Sequence, residues 1–292
     1  MRKFISITVL VLVAWSQVAL AAPTLRIQVD QAGDFVLIGN TLAHECASGG
    51  MPPVPPLVAG SVGTCPDDNN TAPDVFWRSD DPATGQARAD DSITAQDARS
   101  SALLQLPSGA TVTYARLYWS AMASGAGPDT TARLSRPGTN LDAVITAHAT
   151  FRVNENNAGT LFWYQSTAEV TSLVQSQGAG VFRVGDVGSL ELPGLNDNHP
   201  YVAWYMVVFY ARDGEPSRNL ALFDGLDVVS PGSPQSVILD GFLVPNAGFD
   251  AKLGVVAFEG EAPQTGDSIS FDGVTLGDAV NPTNNFFNAS RS

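Results

Sequence analysis

Apolar and polar residues alternate with a period of two over much of this chain, and that period predicts strands. In TVTYARLYWSAM (111–122), Thr113, Ala115, Leu117, Trp119 and Ala121 fall on one side. Val112, Tyr114, Arg116, Tyr118 and Ser120 fall on the other, and one of the two sides must meet a core. GDFVLIGNTL (33–42) is a β-branched and aromatic run closed by turn residues. YVAWYMVVFYA (201–211) is apolar on both sides, as befits a central strand covered on both faces, and Pro200 and Gly214 bound it. SALLQLP, starting at Ser101, reads as a further strand, preceded by a single turn over TAQDARS (94–100).

Turn chemistry follows the same plan. Asp-Gly pairs stand at 213–214, 224–225, 240–241 and 272–273. In SISFDGVTL (268–276) the pair separates two short alternating runs, the signature of a type I′ hairpin. In VILDGFLVP (237–245) it reads as a bulge within a continuous strand. One helix is predicted, over STAEVTSLVQSQ (166–177): Ser166 and Glu169 have capping-box spacing, and Val170, Leu173, Val174 and Gln177 form a helical stripe. No repeat of 20–50 residues is present, against a solenoid or propeller. Short strands, frequent turns and little helix predict an all-β fold, a two-sheet antiparallel β-sandwich of jelly-roll type with one or two short helices.

The first residues belong to export. Arg2 and Lys3 precede an apolar run from Phe4 to Ala14, and Ala19-Leu20-Ala21 has the small residues of a cleavage site. The expectation is a signal peptide over 1–21 and a single β-sandwich domain over 22–292, secreted or held at the cell surface in association with the outer membrane. The mature chain has no apolar stretch long enough for a transmembrane helix. The whole chain has net charge −14, with 15 Lys+Arg against 29 Asp+Glu, and lysine occurs only at 3 and 252. That balance argues against nucleic acid as a partner and against charge-driven attachment to anionic lipid. Cys46 and Cys65 are the only cysteines and flank a Gly/Pro-rich stretch. In an oxidising compartment they are expected to form a disulfide that closes that loop.

Catalytic signatures are sparse. H-E-x-x-H, G-x-S-x-G, G-x-G-x-x-G and the P-loop pattern are all missing, and His44, His148 and His199 are isolated in sequence. The expectation is therefore a non-enzymatic chain without a cofactor, calcium excepted. Asp67, Asp68, Asn69, Asn70 and Asp74 offer oxygen ligands of the kind calcium prefers, although the EF-hand spacing is lacking and such residues also make ordinary turns. Asp80-Asp81, Asp90-Asp91 and Asn196-Asp197-Asn198 are weaker clusters of the same kind. Among the tryptophans, Trp119 and Trp204 lie in strongly apolar strands and belong to the core, whereas Trp77, beside Arg78 in DVFWRSDDP, is the candidate for an exposed glycan-binding platform. Lys252, near Glu259 and Glu261, is the one lysine left for an isopeptide cross-link, and a plain loop lysine is the simpler reading.

GDFVLIGNTL, DVFWRSDDP, ARLYWSA, AEVTSLVQ, RNLALFDGLDVV, VILDGFLVP, LGVVAFEGE and NPTNNFFN follow one another in order across Asp30–Asn288. In this the chain resembles the N-terminal region of large exported surface proteins of myxobacteria and related bacteria. Some of these are named adventurous gliding motility proteins; others are adhesin-like proteins of unknown function. The resemblance implies a module and an address, with no functional residues to carry over. Members of the group continue past the NNFF stretch, so a short homologue or a truncated product is expected. The functional expectation is a secreted or cell-surface module, associated with adhesion or gliding motility, that binds a cell-surface protein or glycan through its loops. The alternative is a glycan-binding or glycan-processing sandwich.

Overall fold

The computed structural model describes residues 21–45, 75–81, 86–89, 92–125, 127–155, 159–191, 201–230, 232–241, 248, 251–258, 260 and 265–288. In chain order the strands begin with β1 (Ala21–Thr41), β2 (Ala43–Glu45), β3 (Val75–Asp81), β4 (Gln86–Ala89) and β5 (Arg99–Leu104). They continue with β6 (Thr111–Ser124), β7 (Thr131–Ser135), β8 (Asp142–Thr146), β9 (Ala149–Asn154) and β10 (Leu161–Glu169). After helix α1 (Thr171–Gln177) come β11 (Gly180–Gly185), β12 (Val202–Ala211), β13 (Ser217–Leu226), β14 (Ser270–Phe271) and β15 (Val274–Thr275). No helix among the described residues is long and apolar enough to cross a membrane.

The fold is all-β and sandwich-like. One sheet has the order β13-β1-β12-β6-β10-β9; the other runs β2-β3-β5-β11-β7-β8, with β4 on β3. The pairings are antiparallel except the short parallel contact of β3 with β5 at Ser79 and Arg99. β12 lies between β1 and β6, and most of its residues are buried, as its two-sided apolar pattern predicts. Val202, Trp204, Met206 and Val208 face the main core, which also holds Leu117, Trp119, Phe162, Tyr164, Phe182 and Val184. Trp119 and Trp204 are cross-strand partners at its centre and are essentially inaccessible to solvent. Their indole N–H groups are satisfied, Trp119 donating to the Asp129 carbonyl (3.2 Å) and Trp204 to Ser100 Oγ (2.9 Å).

The opposite face of this sheet is buried too. Val207, Phe209, Tyr114, Tyr118 and Leu220 form a second cluster, flanked by Ile27, Val29, Phe35 and Leu37. The long strand β1 makes this possible. Its first part, Ala21–Ala32, pairs with β13, and from Gly33 to Thr41 it pairs with β12. The switch falls at Gly33, where an added Cβ would run into the Tyr210 carbonyl. Gly33→Ala is expected to cost about 1–3 kcal/mol, as overpacking does. Gly127→Ala, at a position with open space around it, serves as the near-neutral comparison in a thermal melt.

Three local expectations are corrected. Strand β6 bulges between the pairs Val112–Tyr210 and Tyr114–Phe209, leaving Thr113 as the extra residue. Val112 therefore joins the main core with Ala115, while Thr113 is exposed. The helix starts later than its capping box, since Ser166 and Glu169 lie in β10, where Ser166 is laddered to both β6 and β9 and Glu169 to β6. Val170 occupies the N-cap without a side-chain cap, and Val170 and Val174 supply the buried stripe. Third, the described part of VILDGFLVP (237–241) is not strand, and Asp224-Gly225 lies inside β13 instead of at a turn. By contrast β14 and β15 form the expected hairpin, with positive φ at both Asp272 (47°) and Gly273 (76°) as a type I′ turn requires.

Candidate functional site

Three groupings of charged residues among the described residues bear on function, and their surroundings separate scaffold from surface. The first lies between the β1–β13 ribbon and the outer face of β6. The Asp224 carboxylate is buried and accepts a hydrogen bond from Tyr118 Oη (2.8 Å). Arg26 Nε donates to both of its oxygens at 3.0 Å, and Arg116 Nε stands 3.6 Å away. Arg26 reaches this point because a register shift between Leu25 and Ile27 leaves it unpaired in the ladder. Gln165 Nε2 donates to the Gly225 carbonyl (2.9 Å), Tyr205 Oη donates to Gln165 Oε1 (3.2 Å), and the rings of Tyr118 and Tyr205 stack at 4.4 Å. The carboxylate is committed to these partners, so this network clamps the ribbon to β6.

Burial pushes the phenols of Tyr118, Tyr205 and Tyr164 far above their ordinary range and keeps them neutral. A phenol with a folded-state value above its unfolded one stabilises fully below the unfolded value, and that stability is lost as pH rises through it. Unfolding free energy is therefore expected to fall above about pH 10, by about 1.4 kcal/mol per pH unit for each such phenol. Chemical denaturation at stepped alkaline pH, with Tyr205→Phe reducing the slope, checks this.

The second place contains the DVFWRSDDP stretch. Trp77 is only 1 % exposed and belongs to the main core, so its ring cannot serve as the glycan platform expected from the sequence. The reason lies in the chain path: β3 is held by β2, β4 and β5, which turns Trp77 inward. Arg78 and Asp80 are buried as an ion pair (2.8 Å). Arg78 also donates to Asn40 Oδ1 (3.1 Å), and Asp80 accepts from the Ser101 amide (2.9 Å). Asp80 is thus a structural residue. Cys46, Cys65, Asp67, Asp68, Asn69, Asn70, Asp74 and His199 lie outside the described residues. Among the described residues no group of three or more His, Cys, Asp or Glu is placed to hold a metal ion. Lys252 Nζ, about half exposed, is paired with Asp34 (3.2 Å) and donates to the Phe35 carbonyl (2.8 Å), which ties the 251–258 segment to β1. Phe258 of that segment stacks on Tyr201 (4.9 Å). A cleft of about 480 Å³ between Pro107, Thr111, Val112 and Gln175 has no titratable side chain in its lining.

The third place is a surface. On the outer face of the second sheet, the cross-strand register aligns Arg99 of β5, Gly185 of β11, Arg133 of β7 and Val144 of β8 in one row. Toward the other edge the same row continues through Ser79 to the backbone position of Arg88 on β4. The neighbouring row is Ser101, Arg183, Ser135 and Asp142, and beyond it Leu103 faces Val181. Arg99 and Arg133 are exposed and Arg183 is half-buried, while Leu104, Ala132, Leu134, Phe182 and Val184 on the same strands point into the core. Arg183 Nε donates to Ser135 Oγ (3.3 Å). Arg133 makes a two-pronged, solvent-exposed contact with Asp142 (2.6 and 2.7 Å), which holds that carboxylate below its usual range. Leu103 and Val144, 52 % and 61 % exposed, add apolar surface beside the arginines. Sequence inspection passed over this face. Each arginine is the lone charge in a short alternating strand, and only the strand order brings them together.

No family model, curated protein or solved structure matches the chain.

Proposed function

We propose that this chain is an exported, non-enzymatic surface module, of the adhesion or surface-motility kind, that binds an anionic partner on the outer face of its second sheet. The observation that carries the reading is charge segregation. A chain with net charge −14 gathers Arg99, Arg133 and Arg183 on one face of three adjacent strands. At physiological ionic strength screening acts over about 8 Å, so a partner on this face meets these arginines, together with Asp142 and Asp186 beside Arg133, more than the acidic groups farther away. Arginine suits the task, because its planar fork pairs with carboxylate, sulfate or phosphate and stays charged at any working pH. The sheet supplies a rigid base. β5, β11 and β7 are anchored by core side chains on their inner face, so the arginines project from backbone positions held at a fixed spacing.

The test is retention on immobilised dextran sulfate, a generic polyanion. The protein is expected to bind at low salt and elute as salt rises, and the triple variant Arg99→Gln, Arg133→Gln, Arg183→Gln is expected to flow through with its melting temperature nearly unchanged. Flow-through of the unaltered protein at low salt overturns the reading. So does equal retention of the folded triple variant.

A further inference from the structure

Resting on that reading, we infer that the anionic partner is a linear polyuronate that lies across the strands of the second sheet, with every second carboxylate on Arg99 or Arg133. The register sets the spacing. Arg99 and Arg133 flank Gly185 on the intervening strand, so they are two strand steps apart, ~10 Å at the usual inter-strand distance. Two pyranose units of an extended 1,4-linked chain cover about that length, so in a polyuronate with one carboxylate per sugar every second carboxylate falls in step with the two arginines. An extended peptide is out of step, because its same-side residues repeat at ~7 Å.

The space between the arginines fits the same ligand. Gly185 itself is buried, with the Ala98 carbonyl and the Arg99 Cβ close against it, so a ligand here would lie over the packed backbone of β5 and β11 and touch the arginine side chains above it. Arg183, one residue pair along, stands beside that backbone, and its strand neighbour Val181 faces Leu103. Leu103 is 52 % exposed, and with Val181 it offers an apolar shelf for the C–H face of a sugar ring next to the charged row. Asp142 is the built-in competitor. Its bidentate contact occupies Nε and Nη2 of Arg133, yet both side chains are 52 % exposed, and such a surface pair is readily exchanged for a ligand carboxylate.

The experiment measures binding of the full-length exported protein to polygalacturonate, to a neutral glucan of similar length and to poly-aspartate of equal charge density. Polygalacturonate is expected to bind about tenfold or more tighter than poly-aspartate, with the neutral glucan silent. Arg99→Gln and Arg133→Gln are each expected to weaken it by about tenfold, the worth of a charge-assisted contact, and Asp142→Asn to strengthen it severalfold by removing the competitor. Size-graded oligogalacturonides should show a step in affinity at the length that first reaches both arginines. Equal binding of poly-aspartate overturns the polysaccharide and leaves an acidic protein as partner. Retention on dextran sulfate without any binding of polygalacturonate overturns it while the anion-binding reading stands, and loss of both removes the two together. A weakening, or no change, in Asp142→Asn also counts against it, since the competing carboxylate would then have no part in the site.

Discussion

Replacing Asp224 with alanine is expected to lower the free energy of unfolding by about 3–5 kcal/mol, the cost of leaving a buried charge without its partner. Arg116 is as buried as Asp224, and its Nε has no hydrogen-bond partner to turn to when the carboxylate is removed. Arg26 loses both of its bonds, and Tyr118 loses its acceptor. Since these contacts fasten the β1–β13 ribbon to β6, the loss should begin there: Ala21–Ala32 and Ser217–Leu226 should exchange their amide protons faster than β6, β10 and β12. Tyr118→Phe keeps the ion pairs and removes one hydrogen bond, so about 1–3 kcal/mol is expected from the charged acceptor left short of a donor. Urea denaturation of the two variants decides the matter. An Asp224→Ala protein as stable as the parent would show that the ribbon is held by its apolar contacts alone.

The Trp77→Ala protein is expected to be destabilised by about 3–5 kcal/mol, the usual cost of emptying a buried indole site. The reason is position. Trp77 is among the largest fully buried side chains, packed in the same core as Leu42 and Ala43, and Arg78 and Asp80 on the same strand bond to Asn40 and to the Ser101 amide. A surface platform would behave in the opposite way, with stability within about 0.5 kcal/mol of the parent and only ligand affinity reduced. Guanidinium denaturation of Trp77→Ala beside Trp77→Phe, which keeps much of the volume, separates the two. An unchanged midpoint for the alanine variant would return the ring to the surface and reopen the glycan-platform reading.

These two sites show where the sequence is readable and where it is not. The apolar runs of β6 and β12 have a period that survives any packing, so their strand character and the core positions of Trp119 and Trp204 could be read directly. The Asp272-Gly273 hairpin was equally legible, because two successive positive φ angles are a local demand that few other dipeptides meet. Asp224-Gly225 is the same dipeptide, yet it lies within a strand. What separates the two is Arg26, Arg116 and Tyr118, which come from distant parts of the chain and make a charged residue tolerable inside the fold. Ser166 and Glu169 have the spacing of a capping box, but β6 pairs with both and β9 with Ser166, and those ladders win over a local cap.

The class of the molecule is legible from local pattern: period-two patterning and turn dipeptides make strands, and apolar residues on both sides of a strand require cover on both faces. Composition added an acidic chain with few cations, and therefore made each arginine worth locating. Where those cations lie depends on the order of the strands. Arg99, Arg133 and Arg183 are far apart in sequence, and alternation says only that each points away from its strand's apolar side. Placing β11 between β5 and β7 turns three separate polar positions into one charged surface. The same long-range pairing turned Trp77 inward and buried Asp224, because strand order depends on contacts between distant segments that no local pattern encodes.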